Sequence, residues 1–164
     1  MLKLAEVNAL DPELFTIGLR PVFEHSPWVA ARTANARPFS SLDELHAALC
    51  RTVHEAREDE KIALIRAHPD LVGDAILTNE SRMEQKSAGL ADLSPEEVER
   101  FRDFNQRYRE KFGFPFVICA RLNKKAAILE AFPRRLQNSH AEEIETALGE
   151  ICKIAELRLR DLIS

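Results

Sequence analysis

In Ala67-His68-Pro69-Asp70-Leu71 and the later Ser81-Arg82-Met83-Glu84-Gln85, this chain holds the residue types and spacing that could do chemistry. A proline ring pushes the residue before it out of the α region, so His68 belongs where a helix stops. Its imidazole titrates near neutral pH and can give or take a proton. Ser81, Glu84 and Gln85 stand at i, i+3 and i+4, which puts them on one face of a helix. Together these residues set a proton donor beside a cluster of hydrogen-bonding groups. A His-Pro pair also marks many ordinary turns, and on chemistry alone the plain helix stop is the simpler reading of His68.

Other chemistries find less support. The histidines His25, His46, His54, His68 and His140 show no His-Glu-x-x-His spacing, so no metal site is expected. Ser81 lies in no Gly-x-Ser-x-Gly elbow. Cys119 sits in an apolar run, where a thiol is inert. Cys50, Cys119 and Cys152 are odd in number and form no Cys-x-x-Cys pair. They read as reduced, mostly buried thiols of a cytosolic protein. Arg100, Arg102, Arg107, Arg109 and Lys111 form the charged, solvated side of one helix. Arg158, between Leu157 and Leu159, points partly inward. A semi-buried guanidinium needs an anion, and a substrate carboxylate or a structural carboxylate would each serve.

The elements that must position these residues are helical. Asp11-Pro12-Glu13 places an N-cap before a proline at the first helical position. Ser41-Leu42-Asp43-Glu44, Ser94-Pro95-Glu96-Glu97 and Ser139-His140-Ala141-Glu142 read as capping boxes, each with an apolar stripe behind it. Residues 60–67 predict a short helix stopped by His68-Pro69, and 80–90 a helix bearing the Ser-Glu-Gln face. Residues 124–137 predict a third, capped by Asn123 and kinked or broken at Pro133. Pro21, Pro27 and Pro38 cut the first forty residues into short pieces, read with Trp28 as a segment wrapping the bundle.

One stretch does not fit. Phe114-Pro115-Phe116-Val117-Ile118-Cys119-Ala120 follows Gly113, is rich in aromatic and β-branched residues, and is too short for a buried helix. It predicts a buried extended segment over about 114–120. Its backbone N–H and C=O groups then need other partners, or a polar planar ligand. The expected fold is all-α: one single-domain bundle over 1–164, of about seven or eight helices.

Hydrophobic residues at 45% and charged residues at 30% describe an ordinary globular chain. A net charge of −4 argues against nonspecific nucleic-acid or anionic-membrane binding. No apolar run approaches the ~20 residues of a membrane span. With neither a signal-peptide core at the N-terminus nor a Ser-Lys-Leu tail, the expected location is the cytoplasm.

Six blocks in order carry a more specific resemblance. They are Phe23-Glu24-His25-Ser26-Pro27-Trp28-Val29, Ala67-His68-Pro69-Asp70-Leu71, Ser81-x-x-Glu84-Gln85, Leu93-Ser94-Pro95-Glu96-Glu97, Asn105-x-x-Tyr108-x-x-Lys111-Phe112-Gly113-Phe114-Pro115-Phe116 and Ile154-Ala155-Glu156-Leu157-Arg158-Leu159. Nearly the whole chain resembles the 2-oxo-4-hydroxy-4-carboxy-5-ureidoimidazoline (OHCU) decarboxylases, carboxy-lyases that complete the conversion of urate to (S)-allantoin. The resemblance implies an all-helical, generally homodimeric enzyme with a small-molecule substrate and no cofactor or metal. It implies His68 as the catalytic histidine. It implies substrate contacts at Pro69, at Ser81, Glu84 and Gln85, at Phe116, Val117, Ile118, Cys119 and Ala120, and at Arg158. Glu84 is expected to bind a ring or ureido N–H, or to favour the protonated form of His68 by its charge. Glu84 and Gln85 are expected to face His68 across one pocket, with Phe116–Ala120 as a further wall.

The implied chemistry suits these residues. When CO₂ leaves, its electrons flow into the C=N system beside the same ring carbon, so the substrate is its own electron sink. Positioning and proton delivery remain for the protein. Two other classes stay open at this stage. A helical adaptor would not require the His-Pro, Ser-x-x-Glu-Gln and Phe-Pro-Phe-Val blocks together, and a helical metalloenzyme would show metal on analysis.

Overall fold

Local capping chemistry decides most helix starts in the structure, a computed structural model describing residues Met1–Ser164. Nine α-helices run in order: α1 Leu4–Ala9, α2 Pro12–Gly18, α3 Trp28–Thr33, α4 Leu42–Glu55, α5 Glu58–Arg66, α6 Asn79–Ser87, α7 Pro95–Phe112, α8 Lys125–Leu136 and α9 His140–Leu162. Two 3-10 turns, Ala34–Ala36 and Ala120–Leu122, complete the set, and there is no strand. The all-α expectation holds, with nine helices against the seven or eight expected, because the short helices α1 and α3 also form within the proline-divided N-terminal stretch.

Asp11 Oδ1 accepts from Leu14 N at 2.9 Å, and Ser41 Oγ from Glu44 N at 3.1 Å. Ser94 and Glu97 close a full capping box at 3.2 and 3.1 Å, as do Ser139 and Glu142 at 3.1 and 3.3 Å. Each such cap contributes about 1 kcal/mol by satisfying orphan N–H groups. Glu44 differs from expectation: its carboxylate takes the backbone N–H of Ser40 instead of Ser41. Asn123 does not cap α8; that position falls to Lys124, and Asn123 Nδ2 donates to Cys119 O at 3.0 Å. Pro133 does not break α8. It sits in the last turn, where only one backbone hydrogen bond is forgone.

The chain folds into two compact units, one of Met1–Ala67 with Ile151–Ser164, the other of His68–Glu150. In the first, α2, α3 and α4 pack successively around fully buried Phe15, Val29, Leu45, Leu49, Val53 and Leu159. Its chain ends are tied by Leu2 N to Leu162 O at 2.9 Å and Ser164 N to Leu2 O at 2.8 Å.

The second unit is built on α7 against α8. Phe116 stacks on Phe132 with centroids 3.8 Å apart, and Tyr108 meets Phe116 edge-on at 5.3 Å. α7 ends at Gly113, whose φ of 77° is the left-handed cap that glycine adopts without penalty. Beyond it, Phe114 through Cys119 are buried and non-helical, and Ala120 already begins a 3-10 turn. The stretch is therefore buried and non-helical as expected, and ends one residue earlier than expected.

Candidate active site

α5 stops at Arg66, and the chain turns away through Ala67 and His68 as the following proline demands. His68 is buried, only 6% exposed. The loop after it is pinned at several points. Arg109 Nε reaches both carboxylate oxygens of Asp70, at 3.0 and 3.1 Å. Asn105 Nδ2 donates to Leu71 O at 2.8 Å. Val72 N donates to Gln85 Oε1 at 3.3 Å. Val72 has a φ of 57°, a left-handed conformation that a β-branched residue adopts only where its surroundings impose it. Gly73 passes so close to Asp70 that a Cβ would lie 3.1 Å from the Asp70 Cβ, which leaves no comfortable room for a side chain.

α6 carries the second group of residues. Its cap is Thr78, whose hydroxyl accepts from Ser81 N at 3.2 Å, so the helix begins and ends earlier than the sequence pattern implied. Ser81 is 5% exposed, while Glu84 and Gln85 are half-buried one turn further on. The far end of α6 is fastened by Lys125 N to Ala88 O at 3.0 Å and Lys124 Nζ to Ser87 O at 2.7 Å. α6 packs on the 3-10 turn Ala120–Leu122.

The extended segment finds many of its partners among side chains. Val117 O accepts from Arg135 Nη1 at 2.6 Å. Cys119 N donates to Glu150 Oε1 at 3.2 Å, and Cys119 O accepts from Asn123 Nδ2. Burial pushes the Cys119 thiol up, and the carboxylates of Glu150 and Glu84 push it further in the same direction. The charge of Glu84 is thus felt at the segment. Arg135 is itself held in a buried network: Nε donates to Glu143 Oε1 at 2.7 Å, Tyr108 OH donates to the same oxygen at 2.5 Å, and Asn138 Nδ2 donates to Glu143 Oε2 at 2.8 Å.

Within one unit, then, lie a buried imidazole, a carboxylate and an amide on one helix face, and a buried run of peptide backbone held by hydrogen bonds from side chains. Such a set can orient a small polar heterocycle and move a proton. No group of three or more His, Cys, Asp or Glu is placed to hold a metal ion.

A model of the OHCU decarboxylase family matches residues 8–160. The chain belongs to the OHCU decarboxylase family. It is 45% identical over 163 residues to the 2-oxo-4-hydroxy-4-carboxy-5-ureidoimidazoline decarboxylase of Haloferax volcanii, covering 99% of this chain and 97% of that protein. It resembles a crystal structure of (S)-allantoin synthase with a TM-score of 0.81 at 28% identity, over 99% of this chain and 54% of the other. It resembles a crystal structure of OHCU decarboxylase in the presence of (S)-allantoin with a TM-score of 0.73 at 26% identity, over 87% of this chain and 94% of the other.

Of the residues that the family resemblance singles out, the structure draws together the His68–Val72 loop and Gln85, and sets Glu84 within electrostatic reach of Cys119. Arg158 belongs to the first unit. There its guanidinium donates to Glu24 Oε1 at 2.9 Å and to Pro21 O at 3.1 Å, with both charged side chains buried. Of the two anions that the sequence allowed for Arg158, the structural carboxylate is therefore present. Asn105, part of one of the six blocks, was not singled out there as a site residue. Its Oδ1 is buried without a hydrogen-bond partner, on a side chain whose amide N–H already holds Leu71 O. A signal was there: Asn105 interrupts the buried stripe Phe101, Tyr108 and Phe112 on α7, and a polar group on such a stripe requires a partner.

Proposed function

We propose that the chain catalyses decarboxylation of 2-oxo-4-hydroxy-4-carboxy-5-ureidoimidazoline to (S)-allantoin and CO₂, in urate degradation. The observation that carries this reading is the near-complete coverage of both this chain and the Haloferax volcanii decarboxylase at 45% identity. The substrate carries its own electron sink, so the protein's share of the work is to bind, orient and protonate. His68 is the proton donor, delivering to one ring face and so setting a single enantiomer. Glu84 binds a ring or ureido N–H or favours the imidazolium. Pro69, Ser81, Gln85 and the Phe116–Ala120 segment contact the substrate. Asn105 Oδ1, a buried acceptor lacking a partner, suits a further substrate N–H. The test is direct: purified protein added to freshly generated substrate should accelerate CO₂ release and yield optically active allantoin. A rate equal to spontaneous decay would end this reading.

Two variants probe the roles in turn. Glu84→Gln keeps the shape of the side chain and removes its charge. It should lower kcat by at least about tenfold with an unchanged circular dichroism spectrum; full kcat and KM would leave Glu84 without a catalytic role. Arg158→Lys replaces a planar two-pronged donor by a point charge. As a proposed substrate contact, Arg158 predicts a loss of at least about tenfold in kcat/KM. An effect on thermal stability alone would assign Arg158 to its Glu24 pair.

The reading also includes a homodimer in the cytoplasm. No helix is long and apolar enough to cross a membrane. Light scattering on the eluted protein decides between monomer and dimer.

A further inference from the structure

A cluster in the first unit plays no part in the proposed reaction. His46 and Cys50 stand one helical turn apart on α4, and Cys152 lies on α9. His46 Nε2 is 2.8 Å from Cys152 O and 3.3 Å from Cys50 Sγ. A carbonyl oxygen only accepts, so Nε2 must carry the proton. The Cys50 sulfur then faces an N–H donor, the arrangement that stabilises a thiolate. One imidazole nitrogen thus holds the Cys50 sulfur and the Cys152 backbone beside each other, and each thiol shifts the titration of the other. All three residues are half-buried, so a small oxidant can reach them.

We propose that Cys50 and Cys152 are a redox-active pair, in which a hydroperoxide oxidises Cys50 to a sulfenic acid and Cys152 closes it to a disulfide. In the first step the Cys50 thiolate attacks one peroxide oxygen. The O–O bond breaks, the sulfur becomes S–OH after protonation, and water or an alcohol leaves. In the second step the Cys152 sulfur attacks the Cys50 sulfur. An S–S bond forms, the S–O bond breaks, and the hydroxyl departs as water with the Cys152 proton. Two thiols are oxidised by two electrons and one peroxide is reduced.

The charges around the pair favour this order. The neighbouring Cys152 thiol pulls the Cys50 thiol well below its ordinary range, and His46 and His54 add to the effect against the cost of burial. Cys50 and burial in turn push Cys152 up. His46 is raised to about 9, first by its hydrogen bond to Cys50, with further help from the Cys152 carbonyl and from Glu156. One cysteine is thus the attacking nucleophile and its neighbour, protonated until needed, the resolving thiol. A disulfide of this kind in a reducing compartment is transient and reversed by small thiols.

The experiment uses the intact protein. After brief exposure to hydrogen peroxide and blocking of remaining thiols, peptide mass analysis should find Cys50 joined to Cys152, lighter by two hydrogens and restored by dithiothreitol, with Cys119 still free. Cys152→Ser should instead accumulate a dimedone-trappable sulfenic acid on Cys50, and Cys50→Ser should leave Cys152 unoxidised. Iodoacetamide labelling of Cys50 in the wild type adds a readout that needs no variant. An ordinary thiol slows about tenfold per pH unit below its own pKa, whereas Cys50 should label at a nearly level rate down to about pH 6. A steep fall beginning near pH 8, a sulfenic acid persisting in the wild type, or a disulfide through Cys119 would each overturn the proposal.

Discussion

His68→Asn is expected to fold normally, lose at least about 10²-fold in rate, and release allantoin without optical activity. Asparagine is close to histidine in size and keeps some hydrogen-bonding capacity, so the buried position next to Pro69 tolerates it. What it lacks is an acidic proton of suitable pKa. Spontaneous decay of the intermediate then delivers its proton to either ring face, and the product is racemic. Polarimetry alongside CO₂ release separates the two possibilities for this residue. If the variant yields (S)-allantoin at the wild-type rate, His68 is only the stop of α5, the simpler reading that its position before a proline always allowed.

Glu143→Gln is expected to cost about 3–5 kcal/mol of stability, read as a fall in Tm of roughly 10 °C. Glu143 is fully buried and accepts from Tyr108 OH, Arg135 Nε and Asn138 Nδ2. The substitution keeps the volume and removes the charge, so Arg135, a residue only 7% exposed, loses its buried counter-ion. An amide also cannot accept at both positions that the two carboxylate oxygens now fill. The exposed Arg107–Asp103 pair, 3.5 Å apart, is the control: Asp103→Asn should change stability by less than about 1 kcal/mol. Equal effects from the two variants would refute the weight placed on the buried network. Since Arg135 also holds Val117 O and lies 4.2 Å from the Phe116 ring centroid, loosening it should loosen the extended segment too, visible as faster hydrogen exchange across residues 116–120.

Helix starts were legible because capping is local. Asp11, Ser41, Ser94 and Ser139 each satisfy an N–H three residues on, so a tetrapeptide contains the whole interaction. The stop at His68 and the non-helical character of Phe114–Cys119 were legible for the same reason: a proline restricts its own neighbour, and aromatic and β-branched residues after a left-handed glycine resist a helix. The resemblance to the OHCU decarboxylases was legible in the order of six short blocks, and the family match bears it out.

Partners across long stretches of chain were not legible. Arg158 offered two possible anions in the sequence, and only folding brought Glu24 to it across 134 positions. Cys50 and Cys152 read as unrelated thiols, because nothing in their spacing records that one turn of α4 meets one turn of α9. Periodicity and caps report interactions within about four residues along the chain. Which buried charge meets which, and which thiol meets which, depends on how helix faces pack, and that is decided by the tertiary structure alone.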